Sequence, residues 1–141
     1  MVTFERDPIT IATIISGIYY IVRIIAGWKV FSKAGESGWK SLIPIYNMFV
    51  QYGFSWKVSM AVVYLVLAVV GGVFREIGGI GAAVSGLALL AMYIVDWIGM
   101  HKLSKSFGHG VGFTLGLIVL QPIFIMILAF GSSKYIGNTS E

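Results

Sequence analysis

The stretch VSMAVVYLVLAVVGGVF, Val58–Phe74, followed by Arg75-Glu76 and the apolar run Ile77–Met100, decides the fold. A helix crossing roughly 30 Å of hydrocarbon needs about 17–25 mainly apolar residues. Two such runs joined by a polar pair read as two membrane spans linked by a tight turn. On the N-terminal side Ile9–Trp28 makes a third run, opened by Asp7-Pro8, a cap followed by a first-turn proline. On the C-terminal side Val111–Phe130 makes a fourth, ending at Gly131-Ser132-Ser133-Lys134. The expected fold is all-α: one membrane domain over residues 1–141, with four transmembrane helices.

Composition agrees. Of 141 residues, 57% are hydrophobic and 11% charged, and the mean hydropathy is +0.89, whereas soluble domains carry about 25% charged residues. Disorder is excluded, because ample apolar surface exists to bury. Zero cysteines exclude a disulfide scaffold, a thiol redox centre and thiolate zinc sites. A cleavable signal peptide is a poor reading of the first run: Glu5 and Asp7 precede it, it is too long, and it contains Arg23.

Between the first two spans lies Lys29–Lys57. Its first half is polar and glycine-rich, a loop. Its second half, residues 42–56, is apolar and aromatic but shorter than a span, with Pro44 near its start. That length fits a short interfacial helix better than a re-entrant one. Tyr46, Phe49, Tyr52, Phe54 and Trp56 are expected at headgroup depth.

Basic residues set orientation. With four spans, Arg6, Arg75 and Lys134 share one side, and Lys29, Lys33, Lys40, Lys57, Lys102 and Lys105 share the other. The first and third loops are therefore expected in the cytoplasm and both termini outside. The net charge of +4 needs no nucleic acid to explain it, since no soluble basic face exists. Anionic lipid headgroups are the expected partners of these lysines.

The two lysine-bearing loops look alike. Lys29-Val-Phe-Ser32-Lys33-Ala-Gly35 resembles Lys102-Leu-Ser104-Lys105-Ser-Phe-Gly108, and Pro44-Ile-Tyr-Asn-Met48 resembles Pro122-Ile-Phe-Ile-Met126. Either this is an internal duplication of the parallel kind, or chance similarity in an apolar sequence. Glycines flanked by lysines also suit phosphate binding through backbone amides. A tight turn beside anionic lipid is the plainer account. Lys33, Gly35, Gly38, Trp39, Pro44, Tyr46, Asn47, Lys105 and Gly108 form this candidate loop motif.

Inside the membrane the costly residues are the informative ones. Thr13, Ser16, Tyr20, Arg23 and Gly27 make one stripe of the first span. Gly78, Ala82, Ser85, Met92 and Asp96 make a stripe of the third, where Gly78, Ala82 and Gly86 read as a packing ladder. The fourth span carries Gly112 and Gly116, and Gln121-Pro122 places an amide and a helix breaker near mid-membrane. Arg23 and Asp96, each about one turn from the end of its expected span, pair with one another, snorkel outward, or serve ion movement. Arg23, Asp96 and Gln121 are the candidate intramembrane polar site.

The parts of an enzyme are missing. His101 and His109 lack metal-ligand spacing, and Ser32-Lys33 and Ser104-Lys105 are mere neighbours in sequence. Asp96 alone cannot do the acid–base or metal work of a phosphate-handling lipid enzyme. No catalytic residue, cofactor or metal is expected.

The run Lys33-Ala-Gly35-Glu-Ser-Gly38-Trp39-Lys-Ser-Leu42-Ile43-Pro44-Ile-Tyr46-Asn47 resembles the K-A-G-x-x-G-W-x-x-L-I-P-x-Y-N signature of a bacterial family of small multi-span proteins of unknown function. Leu103–Leu117 and Pro122–Tyr135 are similar to that family's second and third signatures. The resemblance implies a four-span protein of the bacterial cell membrane and no particular activity.

The leading expectation is a non-enzymatic accessory or self-associating membrane component, acting through a homo-oligomer or a membrane protein partner. The alternative is a small dimeric transporter or channel for an ion or small solute, its path lined by Arg23, Asp96 and Gln121. The first span lacks the glutamate on which four-span drug exporters depend. A holin or immunity protein of phage or bacteriocin origin is a third class.

Overall fold

A computed structural model of the chain describes residues 7–138; Arg6, used in the charge comparison, and Glu5, used against a signal peptide, lie outside them. Helix α1, Pro8–Lys33, begins as expected, with the Asp7 carboxylate accepting the Ile9 N–H at 3.2 Å and Pro8 in the first turn. A 3-10 turn, Gly38–Leu42, leads to α2, Tyr46–Ser55. Helices α3, Val58–Ile77, and α4, Ile80–Ser106, form an antiparallel pair, and two short helices follow, α5, Val111–Val119, and α6, Gln121–Phe130. Of the six, α1, α3 and α4 are long and apolar enough to cross a membrane. Large side chains such as Ile80, Leu87 and Val69 on these helices are exposed, which is compatible with contact to lipid.

The two loops that look alike share a device for stopping a helix. At the end of α1, Gly35 adopts φ +82°, its N–H reaches Ser32 O and the Glu36 N–H reaches Phe31 O. At the end of α4, Gly108 adopts φ +80°, its N–H reaches Lys105 O and the His109 N–H reaches Ser104 O. Both are Schellman motifs, whose left-handed position favours glycine. The first likeness therefore contains one stop motif used twice. The units around it differ: a 3-10 turn follows the first stop and α5 follows the second.

The expected fourth span is not one helix. Pro122 has no N–H to donate, and its ring occupies the space of the Ile118 carbonyl; at Leu120 the backbone leaves the helical region, φ −123° and ψ 49°. The chain then folds back. The Phe124 ring lies so close over Gly116 that a Cβ there would sit 2.2 Å from it. Phe113 meets Phe124 edge-to-face at 5.0 Å, and Ser133 Oγ comes 2.7 Å from His109 Nε2. The end of α6 thus returns to the start of α5.

This hairpin sets where the described C-terminal segment lies. The Lys33 ammonium, at the end of α1, donates to the carbonyls of Leu128, Gly131 (3.1 Å) and Ser133 (2.8 Å), capping α6. The Ile136 N–H donates to Ser106 O, and the Tyr135 hydroxyl to Phe54 O. The C-terminal segment therefore sits at the molecular end where α1 and α4 finish, opposite the start of α1. Lys134 joins Lys29, Lys33, Lys40, Lys57, Lys102 and Lys105 there; among the described residues Arg75 is the basic side chain of the opposite end.

Packing concentrates at this lysine-rich end. Phe31 of α1, Phe54 of α2, Leu103 of α4, Leu117 of α5 and Leu128 of α6 meet in one buried cluster. Helix α2 is docked by both faces of its C-terminal half: Tyr52 and Phe54 are buried, the latter against Phe31 at 5.3 Å and Tyr135 at 5.9 Å. Tyr46 does remain exposed.

The α3–α4 contact is one register away from the expected ladder. Gly78 (φ +73°) and Gly79 (φ +57°) make the turn, while Arg75 and Glu76 belong to the last turn of α3. Ala82 and Gly86 face outward. Gly81, Ser85 and Ala88 face α3 instead, and Ser85 Oγ donates to Gly71 O at 2.9 Å.

Candidate functional site

Helix lengths move Arg23 and Asp96 deep. Since α1 runs on to Lys33 and α4 to Ser106, each residue lies ten residues from the end of its helix, about 15 Å at 1.5 Å per residue. Both side chains, together with Gln121 at the tip of the α5–α6 hairpin, line one cavity of about 740 Å³. Ligand pockets commonly fall in the range of about 300–1,000 Å³.

The cavity exists because α1 and α4 do not pack along their lengths. Helix α1 rests on the 3-10 turn and on α6, and α4 on α3, α5 and α2, leaving a space that α2 and the tip of the hairpin border. Asn47, Gln51 and Tyr52 of α2 face it, with Tyr20 of α1 and Tyr64 of α3. Arg23 and Asp96 form no ion pair, and neither has a hydrogen-bond partner among the described residues, where the ion pair present is Lys40–Glu36 at 2.7 Å. The Gln121 amide points toward Met100 Sδ at 3.8 Å, a contact too weak to hold it.

Tyr52 anchors the floor. Its ring packs on Gly99 of α4, where a Cβ would fall 3.0 Å from the hydroxyl. Burial first, then the electrostatic influence of Asp96 and Tyr64 nearby, pushes its hydroxyl well above the ordinary range, so it stays a proton donor at any physiological pH. Asn47 is fixed by its amide donating to Ser41 O at 3.2 Å. Just before it, Ile45 holds φ +68° and ψ −54°, and the Tyr46 N–H reaches Pro44 O at 2.7 Å. This γ-turn is strained for a β-branched residue and persists because neighbours fix it. It brings Pro44 into the cavity lining.

The loop-motif residues do not come together as a phosphate cradle. Lys33 is spent on the end of α6, Lys105 is exposed, and Gly35 and Gly108 terminate helices. Gly38 lies beneath the Trp28 indole, 2.2 Å from where a Cβ would project, and Trp39 stacks on Tyr46 at 6.4 Å. Pro44 and Asn47 belong to the cavity. Gln51, Tyr52 and Tyr64 were not singled out as site residues. The polar spacing Asn47–Gln51, one helical turn apart, is the signal that points to an inward face of α2.

His101 Nδ1 lies 2.9 Å from Thr114 Oγ1, tying α4 to α5. Among the described residues no cluster of His, Asp and Glu has metal-site geometry.

Residues 39–138 match a family model described as a family of unknown function (DUF5684). The matched stretch contains α2 to α6, with Asp96 and Gln121, and leaves out α1 with Arg23. No curated protein and no solved structure matches the chain.

Proposed function

The chain belongs to this family of unknown function, and from that premise we propose that it is a membrane protein that binds a small polar solute in the cavity between α1, α2 and α4 and carries it across the bilayer. The observation that carries this reading is the joint lining of one cavity by Arg23, Asp96 and Gln121, with the two charges unpaired. Charged groups at such depth are expensive, and they persist in membrane proteins where they face a cavity or path. An accessory or self-associating role gives these charges nothing to do, and ranks second. The cavity lies within one chain, so this reading does not need a dimer to enclose it.

In the proposed threading α1, α3 and α4 cross the membrane, and α5–α6 enters and leaves from one side as a re-entrant hairpin. Seven lysines gather at the end that holds the C-terminal segment, so that end is cytoplasmic by the positive-inside rule and touches anionic headgroups. The start of α1 is outside. The proposed location is a bacterial cell membrane, as the resemblance noted above implies, and the reading is non-enzymatic because the sequence offers no acid–base pair or metal set.

The test is reconstitution of purified protein in liposomes, with uptake of protons, potassium, chloride, amino acids and sugars measured against protein-free vesicles. Saturable uptake of one class is expected, reduced tenfold or more in Arg23→Gln and in Asp96→Asn variants that keep the wild-type elution profile. Vesicles as tight as the protein-free control toward every solute would sink the transport reading.

A further inference from the structure

Resting on the solute-binding reading, we infer that the occupant of the cavity is a zwitterion: a molecule with an anionic group for Arg23, an ammonium for Asp96 and an apolar portion between or beside them. The cavity presents one positive and one negative side chain that do not touch. An occupant of one sign relieves one of these charges and is repelled by the other, in surroundings that screen poorly. A neutral polar occupant leaves both charges unanswered. A dipolar one satisfies both and adds no net charge to the membrane interior.

The remaining lining suits both ends. Arg23 offers a planar fork that suits a carboxylate or phosphate, and Asn47 and Gln121 add amide side chains to the same cavity. Asp96 also borders a second, smaller cavity of about 180 Å³ together with Tyr64, Met92 and Tyr93, and Tyr52 joins Tyr64 in the main cavity. Aromatic faces beside a carboxylate are a setting for an ammonium group. Ile24, Met100 and Ile125 supply apolar wall. Both a free amino acid with an apolar side chain and a phosphatidylethanolamine headgroup with its chains have this chemistry.

Thermal unfolding of the full-length protein separates the sources. In detergent the probes are L-leucine and its two halves, 4-methylpentanoate, which lacks the ammonium, and 3-methylbutan-1-amine, which lacks the carboxylate. In nanodiscs the comparison is phosphatidylethanolamine against phosphatidylglycerol. The expected result is a rise in Tm with leucine at concentrations at least tenfold below those needed by either half. Arg23→Gln and Asp96→Asn should each remove it. A rise confined to phosphatidylethanolamine nanodiscs, lost in the same variants, supports the zwitterion with lipid as its source. Should either variant fail to fold, Gln121→Leu and Tyr52→Phe, which keep the charge balance, are expected to weaken the effect several-fold.

Equal stabilisation by one half-molecule overturns the zwitterion while leaving solute binding intact. No stabilisation by any probe or lipid also overturns it. Whether transport survives that result is then read from the liposome fluxes, which do not depend on these probes.

Discussion

Lys33 and Lys105 stand at two helix ends built alike, yet they do different things. Lys33 reaches three backbone carbonyls at the end of α6, while Lys105 is exposed. Lys33→Met should therefore cost about 2 kcal/mol, the scale of hydrogen bonds from a charged donor. Lys105→Met should stay within about 0.5 kcal/mol, as surface changes do. Chemical unfolding in detergent measures both, and equal losses would deny Lys33 its capping role. From sequence the two lysines are indistinguishable, because the difference is made by carbonyls 95–100 positions away. Arg23, Asp96 and Gln121 were legible, since charge and amide in an apolar run are costly wherever the helix leads. Tyr52 and Gln51 were not, because an aromatic-rich segment shorter than a span reads as interfacial until a neighbouring helix buries one of its faces.

Among the elements, α1, α3 and α4 follow from hydropathy, and the Asp7-Pro8 start of α1 follows from capping chemistry. The interruption between α5 and α6 was also legible in Pro122. Its direction was not: a missing hydrogen bond loosens a helix without saying where the next segment goes. That is set by Phe124 over Gly116 and by the anchored end of α6. Gly116→Ala should thus push the Phe124 ring against Phe113, 5.0 Å away, and destabilise the hairpin by about 1–3 kcal/mol, the usual range for overpacking. Phe124→Leu in the same chain should recover part of the loss, a coupling that a double-mutant cycle of unfolding free energies reads directly. Strict additivity would mean that the two residues do not support one another.

For the whole molecule, the placement of the C-terminal segment decides the threading. Because the chain has no cysteine, single replacements report cleanly. Ser37→Cys and Ser132→Cys, both exposed positions at the lysine-rich end, should be shielded alike from an impermeant thiol reagent in intact cells, and both should react once the membrane is opened. Thr10→Cys, at the other end, should react in intact cells. Labelling of Ser132→Cys from outside would restore four crossings and place the lysine of position 134 with Arg75. In the proposed threading the four apolar runs make three crossings, because a run that turns back at its middle contributes none.

An odd number of crossings, as proposed above, would change what the insertion machinery has to do. In the proposed threading α3 and α4 enter as a pair, and the polar cargo they draw across is the short Arg75–Gly79 corner. In that threading the stretch 131–138, with Lys134, never leaves the compartment in which it is synthesised. The hairpin that precedes it can settle after translation of that stretch, as Lys33, already in place at the end of α1, becomes available to receive the new helix end. Biogenesis of the last fifth of the chain is then a docking event within one leaflet rather than a translocation.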